Sequence, residues 1–582
     1  MLENKDPSGP ALPAELLVLI LGELDFKNIL VCRLLSRYFR EIIDQSLVLQ
    51  YAIELALNAM EDVPYSPIPH LRIPGEPSIP PEYSKAEKLQ ILRRRQYLFH
   101  TLREHNYTTR IETSLLEHNY GLCDGVLTEV LPSGRDMMLR ILPSVVQGIK
   151  ERQWMLKFDF NAGPYVIDLA QDLIIILEII DNGVFARPCT THNGSPHPLA
   201  SNKRLPIILP ERSPPQDTSS LLLVAEDLFG ILCNRYDEDH QRIIYSFNVI
   251  NWKTGALVLS MLGDRGNSFA FLDSSHVVLL STGEDKVPIM TTFAGDTSEI
   301  QYPILPSLIV IRCLPDTDSQ HSKTTTELGP PIIFSLPLTG DVDNILEHAV
   351  LHCDPQPMWT SALNPPFQVA RTQRIFVAEF ISQPVNEDAE NNNGPDAEIG
   401  DMVKIFIPYS TLSQHVERIE KSGNNSSNRV ITWEEWGITG TRVIQKSFTD
   451  PDRAPVVSTF GTSYSTRSEK DDYLTICDFN QYAVRHYMSR LSLSGKTTSE
   501  GWKWHNPSSF GKDNSVDEPV VCEVVSGRTT TSHDSLLFPD VSSELSYLRY
   551  KTGLPLPDGY SAYLSEDSIL LIGEDDAKTI SV

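Results

Sequence analysis

Several short patterns in this sequence contain residue types that could carry out chemistry, although each lacks a feature that the chemistry requires. Gly495-Lys-Thr497 has the end of a phosphate-binding loop, but Arg490 stands where that loop needs its first glycine. Gly461-Thr-Ser-Tyr-Ser465 has a serine where the nucleophile elbow of a hydrolase needs its second glycine. The two patterns therefore predict neither phosphate binding nor this class of serine hydrolase.

Three further pairs of residues have suitable chemistry but unsuitable spacing: His192 with His197, His352 with Cys353, and Glu434 with Glu435. The first two pairs lack the helical or clustered spacing of metal ligands. Adjacent carboxylates such as Glu434 and Glu435 point to opposite faces of a strand, so they do not form a general acid and base pair. We therefore predict no catalytic residue, no metal site and no cofactor. We also predict that the protein is not an enzyme.

The charge and length of the chain exclude other classes of function. Its 582 residues include 49 Lys and Arg against 76 Asp and Glu, so the formal net charge is −27. This charge repels phosphate backbones, and it excludes nonspecific binding to nucleic acid. No run approaches the roughly 20 apolar residues that cross a bilayer, so we predict no membrane-spanning segment.

The cysteines and the first residues indicate where the protein acts. The eight cysteines are scattered singly and contain no C-x-x-C pair, which is typical of reduced thiols inside the cell. The segment 1–11 has neither the basic start nor the apolar core of a secretory signal. We expect a disordered tail over 1–11 and a cytoplasmic or nuclear location.

Residues 12–60 are predicted to form three or four short helices near the N-terminus, because their apolar residues recur three and four apart. Pro13 suits the start of a first helix, while Asp25 and Ser36 suit the caps of a second and a third. A module of this size cannot bury all of its large apolar side chains. Some of them are therefore expected to face a partner.

A change of composition follows the helical module. Residues 61–84 contain seven prolines, which predict an extended, semi-rigid linker. Ser84 and Glu87 form the pattern of a capping box, and they predict a basic helix over 85–109. The three arginines Arg93 to Arg95 point around much of a helix, so we expect them to be solvated or paired with acidic residues.

From residue 110 to residue 582 the sequence predicts a large all-β region. Short runs of Val, Ile, Leu and Phe alternate with turn residues, and Asn248 to Leu259 has two strands around a Trp-Lys-Thr-Gly turn. This unit is typical of the last two strands of a propeller blade, and it recurs roughly every 45 residues. The fold class is thus α+β multidomain with a β-propeller of undetermined blade number, and a large β-sandwich is the alternative.

Polar segments interrupt the β region. Residues 385–401, 417–429 and 494–519 lack an apolar period, so they are predicted to be disordered loops. Trp433, Trp436 and Arg442 lie together in a stretch that looks rich in turns. They could anchor a partner, but we favour a core role for the two tryptophans, because tryptophans at this spacing usually pack inward. We therefore name no residue that binds a target.

The first helices carry a specific resemblance. The string from Leu12-Pro13 through Cys32-Arg33 and Ser36-Arg37 to Ile43 resembles the F-box, the helical motif that docks on the Skp adaptor of cullin-RING ubiquitin ligases. Further motifs, such as Asn251-Trp-Lys-Thr-Gly255 and Trp433-Glu-Glu-Trp-Gly437, are similar to the F-box proteins expanded in mushroom-forming fungi. Many F-boxes have a tryptophan near Tyr38-Phe39, where this chain keeps other aromatic residues.

The resemblance implies that nine residues either contact the adaptor or pack the helices together, and the spacing does not assign each of them to one role. These residues are Leu12, Pro13, Leu16, Ile20, Leu24, Ile29, Leu30, Phe39 and Ile42. It implies a substrate-receptor subunit of a cullin-RING ligase, with a Skp-type adaptor and, through it, cullin as partners. The β region would present an unidentified protein target. The alternatives are an interaction scaffold that does not lead to degradation and a propeller-type enzyme.

Overall fold

In the computed structural model, the described residues are 12–64, 82–100, 108–111 and 120–581, with internal interruptions. The interruptions within the last range are residues 124, 145, 147–148, 181–182, 210–218, 238–241, 264–267, 283–288, 294–295, 301–305, 314–330, 338–345, 357–358, 362–364, 383–399, 423–428, 449–457, 468–472, 495–501, 504–520, 534, 536, 557–558 and 574–576. The predicted tail, Gly495 to Thr497, and the greater part of the Pro-rich segment and of the polar loops therefore lie outside the described residues.

Four helices form the N-terminal module: α1 (Ala14–Gly22), α2 (Phe26–Leu35), α3 (Arg37–Gln45) and α4 (Leu47–Leu57). The predicted caps of two of them are present, because Asp25 accepts a hydrogen bond from the Asn28 N–H at 2.8 Å and Ser36 accepts one from the Phe39 N–H at 3.2 Å. The core of the module contains buried residues from all four helices: Leu21, Ile29, Ile42, Ile43, Leu49 and Ile53.

A short strand and a helix follow the module. Strand β1 (Met60–Asp62) includes residues 61 and 62 of the predicted linker. Helix α5 (Lys85–His100) begins at the predicted capping box, where Glu87 accepts a hydrogen bond from the Ser84 N–H at 2.8 Å. The basic helix predicted over 85–109 ends at His100, and Thr108 and Thr109 belong to a strand of the β region.

The described strands form seven sheets of four or more strands, which are the blades of a propeller. Blade 1 contains β3 (Tyr120–Cys123), β4 (Val126–Val130), β5 (Asp136–Ile141) and β6 (Arg152–Lys157). Blade 2 contains β7 (Tyr165–Asp168), β8 (Leu173–Ile180), β9 (Gly183–Thr190) and β10 (Leu205–Pro206). Blade 3 contains β11 (Ser219–Ala225), β12 (Leu228–Asp237), β13 (Arg242–Asn251), β14 (Leu257–Gly263), β17 (Ile289–Phe293) and β18 (Asp296–Ile300).

The second half of the chain supplies the remaining blades. Blade 4 contains β15 (Ser268–Phe271), β16 (His276–Ser281), β19 (Ser307–Arg312), β20 (Ile332–Ser335) and β25 (Arg429–Ile431). Blade 5 contains β21 (Leu346–His352), β23 (Ile375–Ser382), β24 (Gly400–Pro408) and β26 (Arg442–Phe448). Blade 6 contains β27 (Ser458–Phe460), β28 (Ser463–Arg467), β29 (Tyr473–Asp478), β30 (Trp502–Lys503), β31 (Val521–Val525) and β34 (Tyr547–Pro555).

Blade 7 closes the ring with strands from both ends of the β region. Its strands β35 (Ser561–Leu564), β36 (Ser568–Ile572) and β37 (Ala577–Ser581) are joined by β2 (Thr108–Ile111), which pairs antiparallel with β37. Two pairs of strands stand apart from the blades: β1 with β22 (Phe367–Val369), and β32 (Thr529–Thr530) with β33 (Ser542–Ser543). The propeller prediction is confirmed, and the blade number is seven.

The first strand of each blade lines the central channel. We call β3, β7, β11, β15, β21, β27 and β35 the inner strands. Each lies at an edge of its sheet, and in blade 7 strand β35 lies at the edge opposite β2. Contacts join β7 to β11, β11 to β15, β15 to β21 and β27 to β35, so these edges face one another around the axis.

The blades pack face to face, which explains their long apolar runs. On β8, Leu173, Ile175 and Leu177 enter one core cluster, while Ile174 and Ile176 enter another. Successive side chains of a strand point to opposite faces, so both faces of this strand are buried between neighbouring blades. The two strands around the Trp-Lys-Thr-Gly turn are β13 and β14, as the sequence predicts.

In its described part, the β region contains three α-helices: α6 (Tyr409–Ser422), α7 (Trp433–Gly440) and α8 (Gln481–Ser494). Residues 417–422 of a predicted loop are therefore the last part of α6. That helix buries Leu412 and Val416 and exposes charged residues, so its polar composition concealed it. No helix in the described part of the chain is long and apolar enough to cross a membrane.

Candidate functional site

Exposed apolar side chains are concentrated on the N-terminal module. Ten of them lie between residues 12 and 48, and we call this set the apolar helical surface: Leu12, Leu16, Leu19, Ile20, Val31, Leu34, Leu35, Tyr38, Leu47 and Val48. Leu34 and Leu19 are 74% and 67% exposed. An apolar patch of this extent on a soluble domain marks an interaction site, since water would otherwise solvate it at a cost in free energy.

The composition of α1 explains why so much apolar surface is left over. The helix reads AELLVLILG, and among its residues only Leu21 is buried. Leu17 and Val18 pack partly against the same core, while Leu16, Leu19 and Ile20 lie on the outer side. A helix that is apolar on all sides must bury a second face elsewhere, so α1 is suited to contact with another protein.

The structure separates the nine predicted site residues into three groups. Leu12, Pro13, Leu16 and Ile20 are exposed, and they lie together at α1. Leu24, Leu30 and Phe39 are half-buried against the module core. Ile29 and Ile42 are buried in that core, and they hold the helices together.

The other exposed residues of the apolar helical surface were not predicted from the sequence: Leu19, Val31, Leu34, Leu35, Tyr38, Leu47 and Val48. A signal for part of this set exists in the spacing of Val31, Leu34 and Leu35, which are three and four apart on α2. This face of α2 is separate from the face that carries the buried Ile29. The helical pattern thus contains two apolar faces.

Polar contacts hold the module helices in place around this surface. Arg33 on α2 forms an ion pair with Asp44 on α3, with the Arg33 Nε and Asp44 Oδ1 atoms 2.7 Å apart. The hydrogen bond from Arg33 lowers the pKa of Asp44 below its usual value. The pair is partly exposed, so its main effect is on the relative orientation of the two helices.

The module is attached to the propeller by α4, β1 and α5. Strand β1 pairs antiparallel with β22, and Met60 lies opposite Val369. Tyr51, Leu55, Leu89 and Leu92 enter one core cluster with residues of the propeller. The predicted linker therefore does not separate two independent units, because the apolar faces of α4 and α5 are buried against the blades.

A charged cluster fixes the position of β1 between the two helices. Asp62 accepts hydrogen bonds from Tyr51 at 2.9 Å and from Lys88 at 2.7 Å, and Lys85 also contacts it. Burial acts to raise the pKa of Asp62, but the hydrogen bonds from Lys85 and Lys88 lower it below its usual value. The carboxylate thus stays ionised and links α4 to α5.

Further contacts continue this attachment to blades 6 and 7. Arg95 of α5 forms a buried ion pair with Asp567, with the Arg95 Nε and Asp567 Oδ1 atoms 2.8 Å apart. Asn480 donates through its Nδ2 to the last carbonyl groups of α4, at 3.1 Å from Ala56 and 2.9 Å from Leu57. Arg93 pairs with Glu54 at 3.1 Å, so two of the three arginines are paired, as predicted.

The tryptophans of α7 belong to the core, as the sequence analysis favours. Trp436 is 1% exposed, and its Nε1 donates to the Ser335 carbonyl at 3.0 Å. Trp433 is also buried and meets Trp436 edge to face. Arg442 donates to the Gly527 carbonyl at 2.8 Å. The stretch is a helix with a capping box rather than a series of turns.

The two histidines His192 and His197 have structural partners. His192 is hydrogen-bonded to Asp172 at 2.6 Å, and His197 is hydrogen-bonded to the Gln171 carbonyl at 3.1 Å. His197 also lies edge to face with Trp252 in blade 3. Within the described ranges, no three His, Cys, Asp or Glu residues are grouped as metal ligands.

Comparison with known families identifies the helical module. Residues 10–50 match the family described as F-box-like. The chain therefore has an F-box-like domain at its N-terminus, followed by a seven-bladed β-propeller. No curated protein matches the sequence.

Among solved structures, the chain is similar to Drosophila Semaphorin 2a, with 9% identity and a TM-score of 0.35 over 83% of this chain and 76% of that one. It is also similar to the WD40 domain of SCAP from fission yeast, with 9% identity and a TM-score of 0.27 over 83% and 96% of the two chains. The blade assignment rests on the strand pairing described above.

Proposed function

We propose that this protein is a substrate-receptor subunit of a cullin-RING ubiquitin ligase of the SCF type. Its F-box-like domain would bind a Skp-type adaptor, and its propeller would bind the target protein. The observation that supports this proposal is the apolar helical surface, which lies within the F-box-like residues 10–50 and has no cover among the described residues. Such a subunit would act in the cytoplasm or the nucleus.

Burial of the apolar helical surface can supply the free energy of adaptor binding. Each large apolar side chain contributes about 1.5 to 3 kcal/mol when it is fully buried. Several of these contributions exceed the cost of lost translational and rotational freedom on association. Tight binding is therefore expected from α1 and α2 without any buried charge.

In this proposal the chain supplies position rather than chemistry. Ubiquitin transfer would be carried out by the RING subunit and the conjugating enzyme. The receptor would hold the target near them and so raise its effective concentration. The firm attachment of α4 and α5 to blades 6 and 7 supports this role, because it keeps the propeller at a fixed orientation to the adaptor.

Replacement of exposed residues of α1 tests the adaptor interaction. The double variant Leu16→Asp with Ile20→Asp places two charges in the apolar interface, so we expect at least a hundred-fold weaker binding of a Skp-type adaptor in co-purification and titration. Leu199→Asp is the matched control, because Leu199 is an exposed leucine of the propeller region, at 60% exposure. Unchanged recovery of the adaptor by the double variant would contradict the proposal.

The same reconstituted complex tests the step beyond the adaptor. Cullin should co-elute with the protein and its adaptor, and a protein bound to the propeller should become ubiquitinated when the RING subunit and conjugating enzyme are added. Adaptor binding without cullin, or target binding without ubiquitination, would instead indicate a scaffold that does not lead to degradation.

A further inference from the structure

A cavity lies at the end of the central channel where the inner strands finish. It has a volume of about 290 Å³ and is lined by the last three residues of β3, by all of β7, by the end of β11 and by the segment that follows β21. The lining is largely apolar, with Leu122, Val166, Ile167, Leu223 and Val224 on its wall and Tyr165 and Trp359 as aromatic members. This size is at the lower limit of small-molecule sites, so the cavity suits a single large side chain.

One carboxylate in this lining has no hydrogen-bond partner among the described residues. Asp168 accepts a hydrogen bond from Gln171 Nε2 at 2.7 Å. The carboxylate of Asp354, in contrast, has no hydrogen bond or ion pair to any described residue, although its backbone carbonyl accepts from the Gly461 N–H at 2.8 Å. No described lining residue is Lys, Arg or His.

A second acceptor in the lining is also unsatisfied. Gln356 donates through Nε2 to the Cys353 carbonyl at 2.5 Å, and its buried Oε1 has no partner among the described residues. Both Gln356 and Asp354 belong to the segment that follows β21. A ligand that fits this pair of acceptors must therefore bring hydrogen-bond donors.

The electrostatic environment of Asp354 disfavours its ionised form. Asp354 is an exposed residue, and desolvation by the protein atoms beside it raises the pKa of its carboxyl to about 7. The positive charge of Arg374 acts in the opposite direction, but Arg374 Nη1 donates to the Pro355 carbonyl at 2.7 Å. The carboxylate therefore has no direct counter-ion among the described residues.

We infer that this cavity binds a basic side chain, lysine or arginine, of the target protein. The aliphatic stem would lie along Leu122, Val166 and Leu223, and the charged head would pair with Asp354. The net charge of −27 favours the approach of basic partners.

The position of the cavity agrees with the proposed function, on which this inference rests. Strand β1 pairs with β22 in the connection that follows inner strand β21, and Asp567, the partner of Arg95, follows inner strand β35. Trp359 both lines the cavity and packs in the core cluster that includes Tyr51 and Leu89. A bound target would therefore lie on the face of the propeller that carries the adaptor-binding module.

A peptide with one basic residue tests the inference. The probes are nine-residue Gly and Ser peptides with lysine, arginine or norleucine at the centre, titrated against the complex of the full chain with its adaptor by saturation-transfer NMR. We expect millimolar binding of the lysine or arginine peptide and at least tenfold weaker binding of the norleucine peptide. Asp354→Asn should remove this preference, and Asp159→Asn, at an aspartate that is 85% exposed outside the lining, should not.

A second variant keeps the test decisive if Asp354→Asn does not fold, as judged by thermal melting. Val166→Phe narrows the cavity without a change in charge, so it should weaken binding of both basic peptides. Equal binding of the norleucine and lysine peptides, or unchanged binding by both variants, would overturn the inference. Tighter binding of free spermidine than of either peptide would also overturn it, because the site would then belong to a small amine.

Adaptor capture is measured on the same preparations. If the protein captures the adaptor but binds no basic peptide, only the inference about the cavity fails. If it binds the basic peptide but not the adaptor, the proposed ligase function fails while the cavity assignment stands.

Discussion

His276 shows how a single residue of the propeller can make stability depend on pH. Its Nδ1 lies 2.9 Å from Asp273 Oδ1, and its Nε2 lies 3.2 Å from Glu420 Oε1 on α6, where Arg312 also pairs with Glu420. Burial acts to lower the pKa of His276, but the hydrogen bond and charge of Asp273, together with Glu420, raise it above the ordinary value. The protonated imidazole therefore links blade 4 to α6.

The expected result is a contribution to stability that decreases as pH rises. Because the pKa is higher in the folded state, the contribution is complete below the unfolded pKa of about 6.5 and is lost as pH rises through the folded value. Thermal melting from about pH 5.5 to 9 should therefore show the largest difference between the wild type and His276→Gln at the acidic end. A difference that grows with pH would contradict this account.

Single apolar residues of the module show what the sequence could and could not predict. Leu16 and Leu21 are of one type and lie in one helix, yet Leu16 is exposed and Leu21 is buried. The excess of apolar residues over the capacity of a small core predicted that some would face a partner. In α1, which of them do so depends on how α1 to α4 pack together, because a helix that is apolar on nearly all sides has no spacing that distinguishes its faces.

At the scale of elements, helices α4 and α5 attach the module to the propeller. The blades that they contact are formed by residues several hundred positions later in the chain. Residues on both sides of the Pro-rich segment, Leu55 on α4 and Leu92 on α5, pack in the same cluster with propeller residues. The connection between them, which includes 65–81, is therefore not what holds the module in place.

Cleavage within the Pro-rich segment tests this arrangement. A site for a specific protease, inserted between Pro74 and Gly75 with flanking glycines, should be cut without release of the N-terminal fragment, because α4 and β1 keep their contacts with α5 and β22. The two fragments should co-elute in size-exclusion chromatography under native conditions and separate in denaturant. Elution of the N-terminal fragment alone would show that the segment is the true connection between two units.

The elements that local chemistry determines are those that the sequence predicted best. The caps Asp25, Ser36 and Ser84 are hydrogen-bonded as expected, because a cap depends only on neighbours within three residues. Strand β1 escaped prediction because its partner, β22, is more than 300 residues away. Helix α7 escaped because its eight residues include two glycines, which lower helix propensity.

At the scale of the whole molecule, the seven blades are held together by side chains that alternate along each strand. Successive residues pack against the neighbouring blade on one side and then on the other. Val277 and Leu279 on β16 enter one core cluster, and Val278 and Leu280 enter its neighbour. Such strands read as continuous apolar runs, so the sequence predicted the propeller. The blade number was hidden because extra strands in blades 3, 4 and 6 break the period.

The closure of the ring by β2 and β37 can be tested with an engineered disulfide. Thr109 lies directly opposite Thr579, and opposed residues of antiparallel strands are close enough for a disulfide. The double variant Thr109→Cys with Thr579→Cys should form this bond when oxidised and gain roughly 2 to 4 kcal/mol, because the bond restricts the unfolded chain. We expect a melting temperature several degrees above that of the same protein with reductant.

The single variants Thr109→Cys and Thr579→Cys are the controls, since neither can close the ring and neither should respond to reductant. Failure of the double variant to form the bond would mean that β2 does not pair with β37 in this register. A bond that forms without any gain in melting temperature would mean that the ring opens elsewhere first. We expect unfolding to begin at blade 7, because its sheet combines a strand from the start of the β region, β2, with strands from its end.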